Sequence, residues 1–403
     1  MNILLISQDF PYPPVSGDRI RNYNLIKVLS RRHRIHLISF EGHCQQEEHV
    51  AEMKKFCASV KTVPLEKCNR FQRILRFART VLSGQPQHNC FWVFQKAMAD
   101  AITQAIKGNQ FDIIQIEHSH MAPYVRNIPA GGKLKKVLTL HNIGFVQYRR
   151  IFQFEKKLRM KARFLHSWLT SRRWEPAYSM NFDKCVTMSE IDKRILHSAN
   201  PGLDIDVVPN GVDLGFYKMV PAKPGRNSIL FVGILDYAPN ADAVLYFSKE
   251  IFPRIAAQNP GMDFYVIGRN PTQQIRQLAG NPGIKVVCHA ADLRPYYERC
   301  FAAVVPLRSG GGTRLKILEA MAMGMPVVTT SVGCEGIDVT DGENILIADS
   351  PGEFASNVIK IFSDRNRQVM IGAAARRLVE ARYSWEKIGG HLENIYSGLL
   401  ERP

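Results

Sequence analysis

The residues best suited to chemistry form a glycine-rich run in front of a predicted helix. Its members are three glycines and a threonine with basic residues around them: Arg308, Gly310, Gly311, Gly312, Thr313, Arg314 and Lys316. Glycines let backbone N–H groups approach an anion closely, and the amino end of a helix adds the positive end of its dipole. Cations in a first helical turn are disfavoured by that dipole unless an anion binds beside them. The run therefore predicts a site for a diphosphate group.

A single carboxylate, Glu319, stands among the apolar residues of the same predicted helix. In such surroundings a carboxylate needs hydrogen-bond donors, and the two vicinal hydroxyls of a ribose would provide them. Gly324 ends the helix, and the residues 326–331 are predicted to form the next buried strand. Loop, helix and carboxylate together indicate a site for a diphosphate and a ribose.

Further candidates follow predicted strands, because ligands bind at the carboxyl ends of the strands in open parallel sheets. They are Gly17, His118, His120, His141, Asn142, Gly233, Arg269 and His289. An imidazole can hydrogen-bond a sugar hydroxyl near pH 7, which favours a functional role for His141. For His118 and His120 two interpretations stay open, a contact with a ligand and an ordinary surface position. The sequence shows no third ligand beside these two histidines, so no metal site is predicted.

The glycine run and the helix after it resemble the nucleotide-sugar signature of the family-4 retaining glycosyltransferases. That signature usually has one Glu near the glycine turn and a second eight positions later, followed by Ala-Met-Ala and a Gly-x-Pro-Val-Val exit. Here Glu319 matches the second Glu, whereas Gly311 stands in place of the first. The resemblance implies the GT-B fold, an α/β architecture of two Rossmann-like doubly wound lobes facing each other across a cleft, with a C-terminal helix that crosses back to the first lobe.

The same resemblance implies an activity and a set of roles. A sugar would move from a UDP- or GDP-sugar to an acceptor hydroxyl with retention and without a cofactor or metal, and a β-phosphate oxygen would take the acceptor's proton. The catalytic residues would be His141, Arg314 and Lys316. The donor would be bound by Gly17, Gly233, Arg269, His289, Arg308, Gly311, Gly312, Thr313 and Glu319. The residues on the acceptor side would be His118, His120 and Asn142.

One part of the family's donor site is missing. Many members carry an Arg directly after the glycine that corresponds to Gly233 and a Lys six residues later, and the two clamp the diphosphate. Here those positions are Ile234 and Asn240. A departing diphosphate needs positive charge, so we expect the three basic residues of the glycine run to supply it.

At 403 residues the chain suits two domains. An aperiodic stretch rich in Gly, Pro and Lys over 211–227 predicts a linker, so the expected lobes are 1–210 with 384–403, and 211–383. The strands predicted in the first lobe are Asn2–Ser7, Arg34–Phe40, Val60–Leu65, Phe111–Glu117, Lys136–Leu140 and Lys184–Ser189. In the second lobe they are Ser228–Gly233, Asp263–Gly268, Ile284–His289, Phe301–Leu307, Pro326–Ser331 and Ile345–Asp349.

Charge is distributed unevenly along the chain. Residues 1–200 hold 32 Lys and Arg against 15 Asp and Glu, a net +17, whereas residues 201–403 hold 21 of each and are neutral. A uniformly basic chain would indicate nucleic acid, but this asymmetry indicates that one lobe faces a different anionic partner. No nucleic-acid partner is therefore expected.

The most basic stretch, residues 149–174, has nine Lys and Arg against one Glu. An apolar stripe at helical spacing predicts a helix there. The stripe consists of Ile151, Phe154, Leu158, Ala162, Leu165 and Leu169. One interpretation packs the stripe on its own lobe. The other places the helix on an anionic membrane leaflet, facing a lipid-linked or otherwise anionic acceptor, together with four arginines of an earlier segment: Arg70, Arg73, Arg76 and Arg79.

Eight cysteines without a Cys-x-x-Cys pair or zinc spacing predict reduced thiols, and no apolar run is long enough to span a bilayer. We expect a cytoplasmic enzyme, peripheral on the inner face of the membrane, that serves polysaccharide, glycolipid or other glycoconjugate synthesis. Two alternatives stay open because the clamp and the first Glu are missing. One is a GT-B-fold epimerase of nucleotide sugars, and the other is a catalytically silent, membrane-associated binding protein.

Overall fold

The computed structural model describes residues 1–41, 47–65, 69, 71, 75, 78, 80, 86, 95–129, 132–155, 157–220, 225–310 and 312–402. Contacts within the chain divide it into two compact units. The first unit comprises Met1–Pro209 and Ile388–Pro403, and the second comprises Asn210–Lys387. Each unit has a parallel sheet with helices around it, as alternating strands and helices require.

The first unit is built on a parallel sheet. Its strands are β1 (Asn2–Ser7), β2 (Arg34–Phe40), β3 (Ser59–Val63), β4 (Ile113–Glu117), β5 (Lys135–Leu140), β6 (Lys184–Thr187) and β7 (Ile205–Val207), in the spatial order β3-β2-β1-β4-β5-β6-β7. The central strands bury apolar side chains on both faces, with Ile3 and Ile113 on one face and Leu4 and Ile114 on the other. The carboxyl ends of β1, β4 and β5 are neighbours, so the residues that follow these strands meet at one edge of the sheet.

Helices connect these strands. They are α1 (Gly17–Leu29), α2 (Glu47–Lys54), α3 (Lys96–Gly108), a 3-10 helix (Ser119–Asn127), α4 (Gly144–Phe154), α5 (Leu158–Ser179) and α6 (Glu190–Ala199). The start of α6 shows the local rule: Ser189 Oγ accepts a hydrogen bond from Asp192 N at 3.1 Å and thereby satisfies a free backbone donor of the first turn.

The second unit is built on a parallel sheet of its own. Its strands are β8 (Ser228–Val232), β9 (Asp263–Gly268), β10 (Ile284–Cys288), β11 (Ala302–Val305), β12 (Val327–Thr329) and β13 (Leu346–Ile347), in the order β10-β9-β8-β11-β12-β13. Its helical segments are α7 (Ala238–Tyr246), a π-helical turn (Phe247–Ile251), α8 (Phe252–Gln258), α9 (Gln273–Gln277), a 3-10 turn (Leu278–Gly280), α10 (Arg294–Arg299), α11 (Leu315–Ala322), α12 (Pro351–Ser363) and α13 (Arg365–Arg382). A last helix, α14 (Trp385–Leu400), belongs to the first unit from Ile388 onward.

All the predicted strands are present, and several are shorter than predicted. The strand β7 was not predicted, because it is only three residues long and Asp206 interrupts its apolar character. Its acidic residues have a structural partner: Lys184 Nζ lies 2.6 Å from Asp204 Oδ1 and 2.7 Å from Asp206 Oδ2. These ion pairs hold the edge strand β7 against β6.

The predicted single helix over 149–174 is wrong. The helix α4 ends at Phe154, and α5 begins at Leu158 after residues with extended backbone. The apolar stripe is not the packed face of α5, since the side chains of Leu158 and Leu169 are 84% and 51% exposed. The buried residues of α5 are mostly small or polar: Ser167, Ser171, Glu175, Pro176 and Ser179. The interpretation that the stripe packs on its own lobe is therefore wrong for this helix.

None of the other described members of the stripe is fully buried. Ala162 is exposed, and Ile151 and Leu165 are half-buried. Four arginines of the predicted basic surface, Arg70, Arg73, Arg76 and Arg79, lie outside the described residues. The side chain of Phe154, a member of the apolar stripe, also lies outside them. None of the helices in the described part of the chain combines the length and the apolarity that crossing a bilayer requires.

Candidate active site

The glycine run forms the loop between β11 and α11. Gly310 and Gly312 have φ angles of +122° and +74°, where a residue with a Cβ would be strained. Arg314 is the N-cap residue of α11, and its Nη1 donates a hydrogen bond to Gly312 O at 2.6 Å. Thr313 is buried, and Gly311 lies outside the described residues. The described part of the loop therefore folds around the guanidinium group of Arg314.

Lys316 brings an ammonium group to the end of β8. Its Nζ donates to Asn240 Oδ1 at 2.8 Å and lies 4.1 Å from the centre of the Phe231 ring. A Cβ added to Gly233 would stand 2.9 Å from this nitrogen. Burial, with a further contribution from the charge of Arg314, lowers the pKa of Lys316 to about 7. Because Asn240 stands where many family members have the clamp lysine, Lys316 reaches the place of the missing clamp.

Two glycines allow the ends of β8 and β9 to meet beside this lysine. A Cβ on Gly268 would stand 1.7 Å from Gly233 O, so a larger residue would force the strands apart. Beyond the glycines, Leu235 N donates to Arg269 O at 2.8 Å, and the Arg269 side chain is half-buried. The structure therefore brings Gly233, Arg269 and Lys316 together at one edge of the sheet.

Glu319 is held by two tyrosines that were not predicted. Tyr297 Oη donates to Glu319 Oε2 at 3.3 Å, and the Tyr217 hydroxyl also hydrogen-bonds the carboxylate. Burial raises the pKa of Glu319 above its ordinary value, although both hydroxyls and the charge of Lys316 oppose the increase. No spacing in the sequence connects these tyrosines with the glycine run. Their hydroxyls orient the carboxylate.

Arg308 and His289 have different surroundings. Arg308 donates to the two carboxylate oxygens of Asp242 at 2.5 and 3.0 Å, and these hydrogen bonds raise its pKa. His289 is exposed, has a φ of +57° and donates its backbone N–H to Gly268 O at 3.3 Å. The charge of Arg308 is therefore balanced by a carboxylate, whereas the hydrogen-bond partner of Lys316 is a neutral amide.

In the first unit, three histidines stack where β4 and β5 end. The ring centroids of His118 and His141 are 4.0 Å apart, and those of His118 and His120 are 5.2 Å apart. The three rings line a cavity of about 260 Å³ together with Gln8, Ser119, Asn142, Gly144, Gln147 and Tyr148. Burial lowers the pKa of His118 well below its ordinary value, so this ring is neutral at pH 7. The structure thus gathers the predicted residues His118, His120, His141 and Asn142 around one cavity.

A buried carboxylate that was absent from the sequence predictions, Glu117, lies behind His141. His141 Nε2 is 2.6 Å from Glu117 Oε2, and Gln115 donates to the other carboxylate oxygen. Burial alone would raise the pKa of Glu117, but the hydrogen bonds from His141 and Gln115 and the charge of Arg21 hold it below its ordinary value. Polar residues at alternate positions of the otherwise apolar strand β4 were the signal in the sequence.

Gly17 lies near the same edge of the first sheet. It is the first residue of α1, the helix that follows β1, and Ser16 precedes it as the N-cap residue. Arg21, one turn further along α1, is buried and donates to Pro209 O at 2.8 Å. This hydrogen bond ties the first turns of α1 to the segment that follows β7.

Comparison with known families covers most of the chain. Residues 16–216 match glycosyltransferase family 4, and residues 226–364 match the glycosyl transferases group 1 family. The chain belongs to the group 1, family 4 glycosyltransferases. An uncharacterized 44.6 kDa protein in the cps region of Klebsiella pneumoniae is 22% identical to this glycosyltransferase over 403 residues, 96% of this chain and 97% of that protein. The capsular polysaccharide biosynthesis glycosyltransferase CapM of Staphylococcus aureus is 30% identical over 127 residues, 31% of this chain and 33% of CapM.

Solved structures share the fold of this glycosyltransferase. Sucrose-phosphate synthase from Thermosynechococcus elongatus matches with a TM-score of 0.74 at 18% identity, over 100% of both chains. Anabaena Alr3699/HepE in complex with UDP and glucose matches with a TM-score of 0.69 at 15% identity, over 98% of this chain and 99% of that one. The fold is GT-B, with two Rossmann-like domains, and the fold class predicted from the sequence is confirmed.

Proposed function

We propose that this glycosyltransferase moves a sugar from a UDP- or GDP-linked donor to an acceptor hydroxyl, with retention at the anomeric carbon and without a metal ion. The donor diphosphate binds at the glycine run and Lys316, and its ribose binds at Glu319. The cavity lined by His118, His120 and His141 contacts sugar hydroxyls. A nucleotide donor is supported by the similarity to Alr3699/HepE, a protein whose structure contains UDP and glucose.

The observation that carries this proposal is the position of Lys316. Its ammonium group lies against Gly233 and Asn240, and it donates a hydrogen bond to the amide oxygen of Asn240. Burial and the neighbouring charge of Arg314 lower its pKa to about 7 despite the opposing charge of Glu319, so the surroundings of Lys316 are short of negative charge. A bound diphosphate would supply the opposite charge. The residue therefore fits the role that the missing clamp plays in related enzymes.

The chemistry follows from this charge. When the bond between the anomeric carbon and the β-phosphate oxygen breaks, negative charge grows on the diphosphate and positive charge grows on the sugar ring. Lys316, Arg314 and the amino end of α11 stabilise the diphosphate, and this stabilisation increases along the reaction. The acceptor oxygen bonds to the anomeric carbon on the face that the diphosphate leaves, and its proton passes to a β-phosphate oxygen. The reaction therefore needs no strong base and no metal.

A panel of nucleotide sugars, with and without a membrane extract, tests the activity. The proposal predicts that one UDP- or GDP-sugar is consumed and that its sugar reaches a product only when the extract is present. Conversion of the donor sugar without any extract would instead indicate an epimerase. Binding of nucleotide without turnover under either condition would indicate a silent binding protein. Product analysis by NMR then shows whether the anomeric configuration is retained.

We place the enzyme in the cytoplasm, on the inner face of the membrane, in cell-surface polysaccharide or glycolipid synthesis. The polysaccharide role is supported by the similarity to CapM and to the protein of the Klebsiella cps region. The membrane surface is supported by the exposed Leu158 and Leu169 on a segment with a large excess of basic residues. Each basic residue near an anionic surface contributes about 1 kcal/mol, so several suffice for binding that salt reverses.

Liposome sedimentation checks the membrane surface. We expect the protein to bind anionic vesicles at low salt and to lose binding when Leu158→Glu and Leu169→Glu are combined, because apolar area is removed and negative charge is added. The matched control combines Val369→Glu and Met370→Glu, which are also exposed apolar side chains but lie in the second unit. Equal binding of neutral and anionic vesicles, or equal loss in both double variants, would contradict the assignment.

A further inference from the structure

A buried chain of hydrogen bonds leads from the C-terminal helix α14 to His141. The Tyr396 hydroxyl donates to the side-chain oxygen of Gln115, and the amide of Gln115 donates to Glu117. The second oxygen of Glu117 lies 2.6 Å from His141 Nε2. All four side chains are buried, so water does not compete for these bonds. This series of hydrogen bonds therefore ends at Nε2 of the His141 imidazole.

The direction of the last bond follows from the charge of Glu117. Burial alone would raise the pKa of this carboxyl, but the hydrogen bonds of His141 and Gln115 and the charge of Arg21 hold it low, so Glu117 is ionised. An ionised carboxylate only accepts hydrogen bonds, and the shared proton must therefore sit on His141 Nε2. A neutral imidazole has one N–H, which leaves Nδ1 as a bare acceptor.

We propose that Glu117 is a positioning residue that holds His141 in the Nε2–H tautomer, so that Nδ1 accepts a hydrogen bond from a sugar hydroxyl in the histidine cavity. Glu117 itself does not touch the sugar and acts through His141. The identity of the ligand as a sugar rests on the proposed function, whereas the tautomer does not depend on it. The cavity suits such a ligand because it is lined by hydroxyl, amide and imidazole groups.

Several charged or titratable groups surround this pair. They are Arg21 in α1, His118 and His120 at the 3-10 helix, Tyr148 in α4, Glu175 in α5 and Tyr396 in α14. Glu175 needs its own control, because burial raises its pKa to about 7. Its carboxylate accepts hydrogen bonds from Gly144 N at 3.2 Å and Phe145 N at 3.4 Å, at the start of α4.

The variant Glu117→Gln tests the positioning role. The amide has the size of the carboxylate, but it can donate to Nε2 and so favour the opposite tautomer, with the proton on Nδ1. We expect turnover to fall about 100-fold while the affinity for the nucleotide diphosphate is unchanged.

The matched control is Glu175→Gln, which removes a buried carboxyl of the same unit without changing the partner of His141. We expect it to keep the turnover of the wild type. Wild-type turnover in Glu117→Gln would overturn the proposal. So would an equal loss of turnover in Glu175→Gln, since the loss would then not depend on the partner of His141.

A measurement on the unmodified protein covers the case in which Glu117→Gln does not fold. Nitrogen NMR of the ¹⁵N-histidine-labelled enzyme distinguishes the two tautomers, and the spectrum of His141→Ala identifies the signals of His141. We expect the Nε2–H form of His141 at mildly alkaline pH. Observation of the Nδ1–H form would overturn the proposal even if the enzyme proves to be a glycosyltransferase of the proposed kind.

The hydroxyl that donates a hydrogen bond to Nδ1 belongs either to the donor sugar or to the acceptor. The rate of donor hydrolysis distinguishes these two cases. If the hydroxyl is on the donor sugar, Glu117→Gln slows donor hydrolysis in the absence of acceptor as much as it slows transfer. If it is on the acceptor, hydrolysis is unaffected and the KM for the acceptor rises. Both results support the positioning role, whereas unchanged hydrolysis with unchanged transfer contradicts it.

Discussion

The proposed donor site of the second unit and the histidine cavity of the first unit use charge in opposite ways. Lys316 and Arg314 put two cations beside the amino end of α11, and burial has already lowered the pKa of Lys316 to about 7. In the histidine cavity, the hydrogen bonds of His141 and Gln115 and the charge of Arg21 stabilise the ionised Glu117. The first arrangement has two cations and the single carboxylate of Glu319, so a bound anion would balance the excess positive charge. In the second arrangement the charged group already has its partners, so the two sites should respond differently to mutation and to pH.

His141→Ala should have the largest effect of the changes in either region. It removes the oriented nitrogen, and we expect transfer to fall by about 10²- to 10⁴-fold. The affinity for the nucleotide diphosphate, measured by calorimetry, should stay close to that of the wild type, because this ligand is assigned to the second unit. Loss of affinity together with activity would show that the imidazole supports the structure, and the contrast between the two regions would fail.

Glu319→Ala should lower the affinity for the nucleotide, the quantity that His141→Ala leaves nearly unchanged. The ribose hydroxyls lose a charged acceptor in a closed pocket, which costs about 1.5–3 kcal/mol of nucleotide affinity. Calorimetry with UDP and GDP measures this loss directly. Tyr297→Phe is the matched variant, since it keeps the carboxylate and removes only one orienting hydroxyl, and we expect a smaller loss from it. Unchanged UDP and GDP affinity in Glu319→Ala would exclude Glu319 from the donor site.

The pH dependence of donor affinity should be a smaller effect than the losses in His141→Ala and Glu319→Ala. It should again distinguish the two regions. The pKa of Lys316 in the free enzyme is about 7, and a bound diphosphate raises it because it favours the charged form. Binding therefore takes up a proton above pH 7, and affinity falls by up to about tenfold per pH unit as pH rises. Calorimetry with the best-binding nucleotide sugar between pH 6 and 9, roughly centred on this pKa, checks the slope. We expect a flat profile in Lys316→Met and the wild-type slope in His141→Ala.

The two regions also differ in how far the sequence could predict them. The loop, helix and strand around Lys316 are consecutive in the chain, so glycine content, helix period and the Gly324 stop describe them locally. The hydroxyl of Tyr297 on Glu319 depends on a separate helix, and no sequence spacing indicates it. Glu117 was missed for the same reason, because its partners come from different helices and strands.

The basic segment shows a further limit of the sequence pattern. A helical period predicts that a stripe exists but not which face packs, and α5 packs its serines while Leu158 and Leu169 remain exposed. α5 packs chiefly against α4 and the 3-10 helix, and serines fit where helices approach closely, whereas larger apolar side chains do not. Interruption of the helix before Leu158 likewise depends on local backbone geometry that the stripe does not encode.

The central claim is that Lys316 replaces the missing clamp, and moving its charge tests that claim most directly. Lys316→Met should lower turnover about 10²- to 10³-fold, more than it lowers donor affinity, because the stabilisation grows as the diphosphate departs. Arg308→Met is the control, since Asp242 already balances its charge, and we expect a small effect from it. Asn240 Oδ1 lies 2.8 Å from Lys316 Nζ, so a lysine at position 240 can reach the same place.

The decisive measurement is therefore the turnover of the double variant Lys316→Met, Asn240→Lys compared with that of Lys316→Met alone. We predict that the turnover of the double variant is at least about tenfold higher than that of Lys316→Met, because an ammonium group returns to the end of β8. Circular dichroism and nucleotide affinity confirm that both variants are folded. A folded double variant that binds nucleotide and shows no recovery, or a Lys316→Met enzyme with wild-type turnover, would contradict the account.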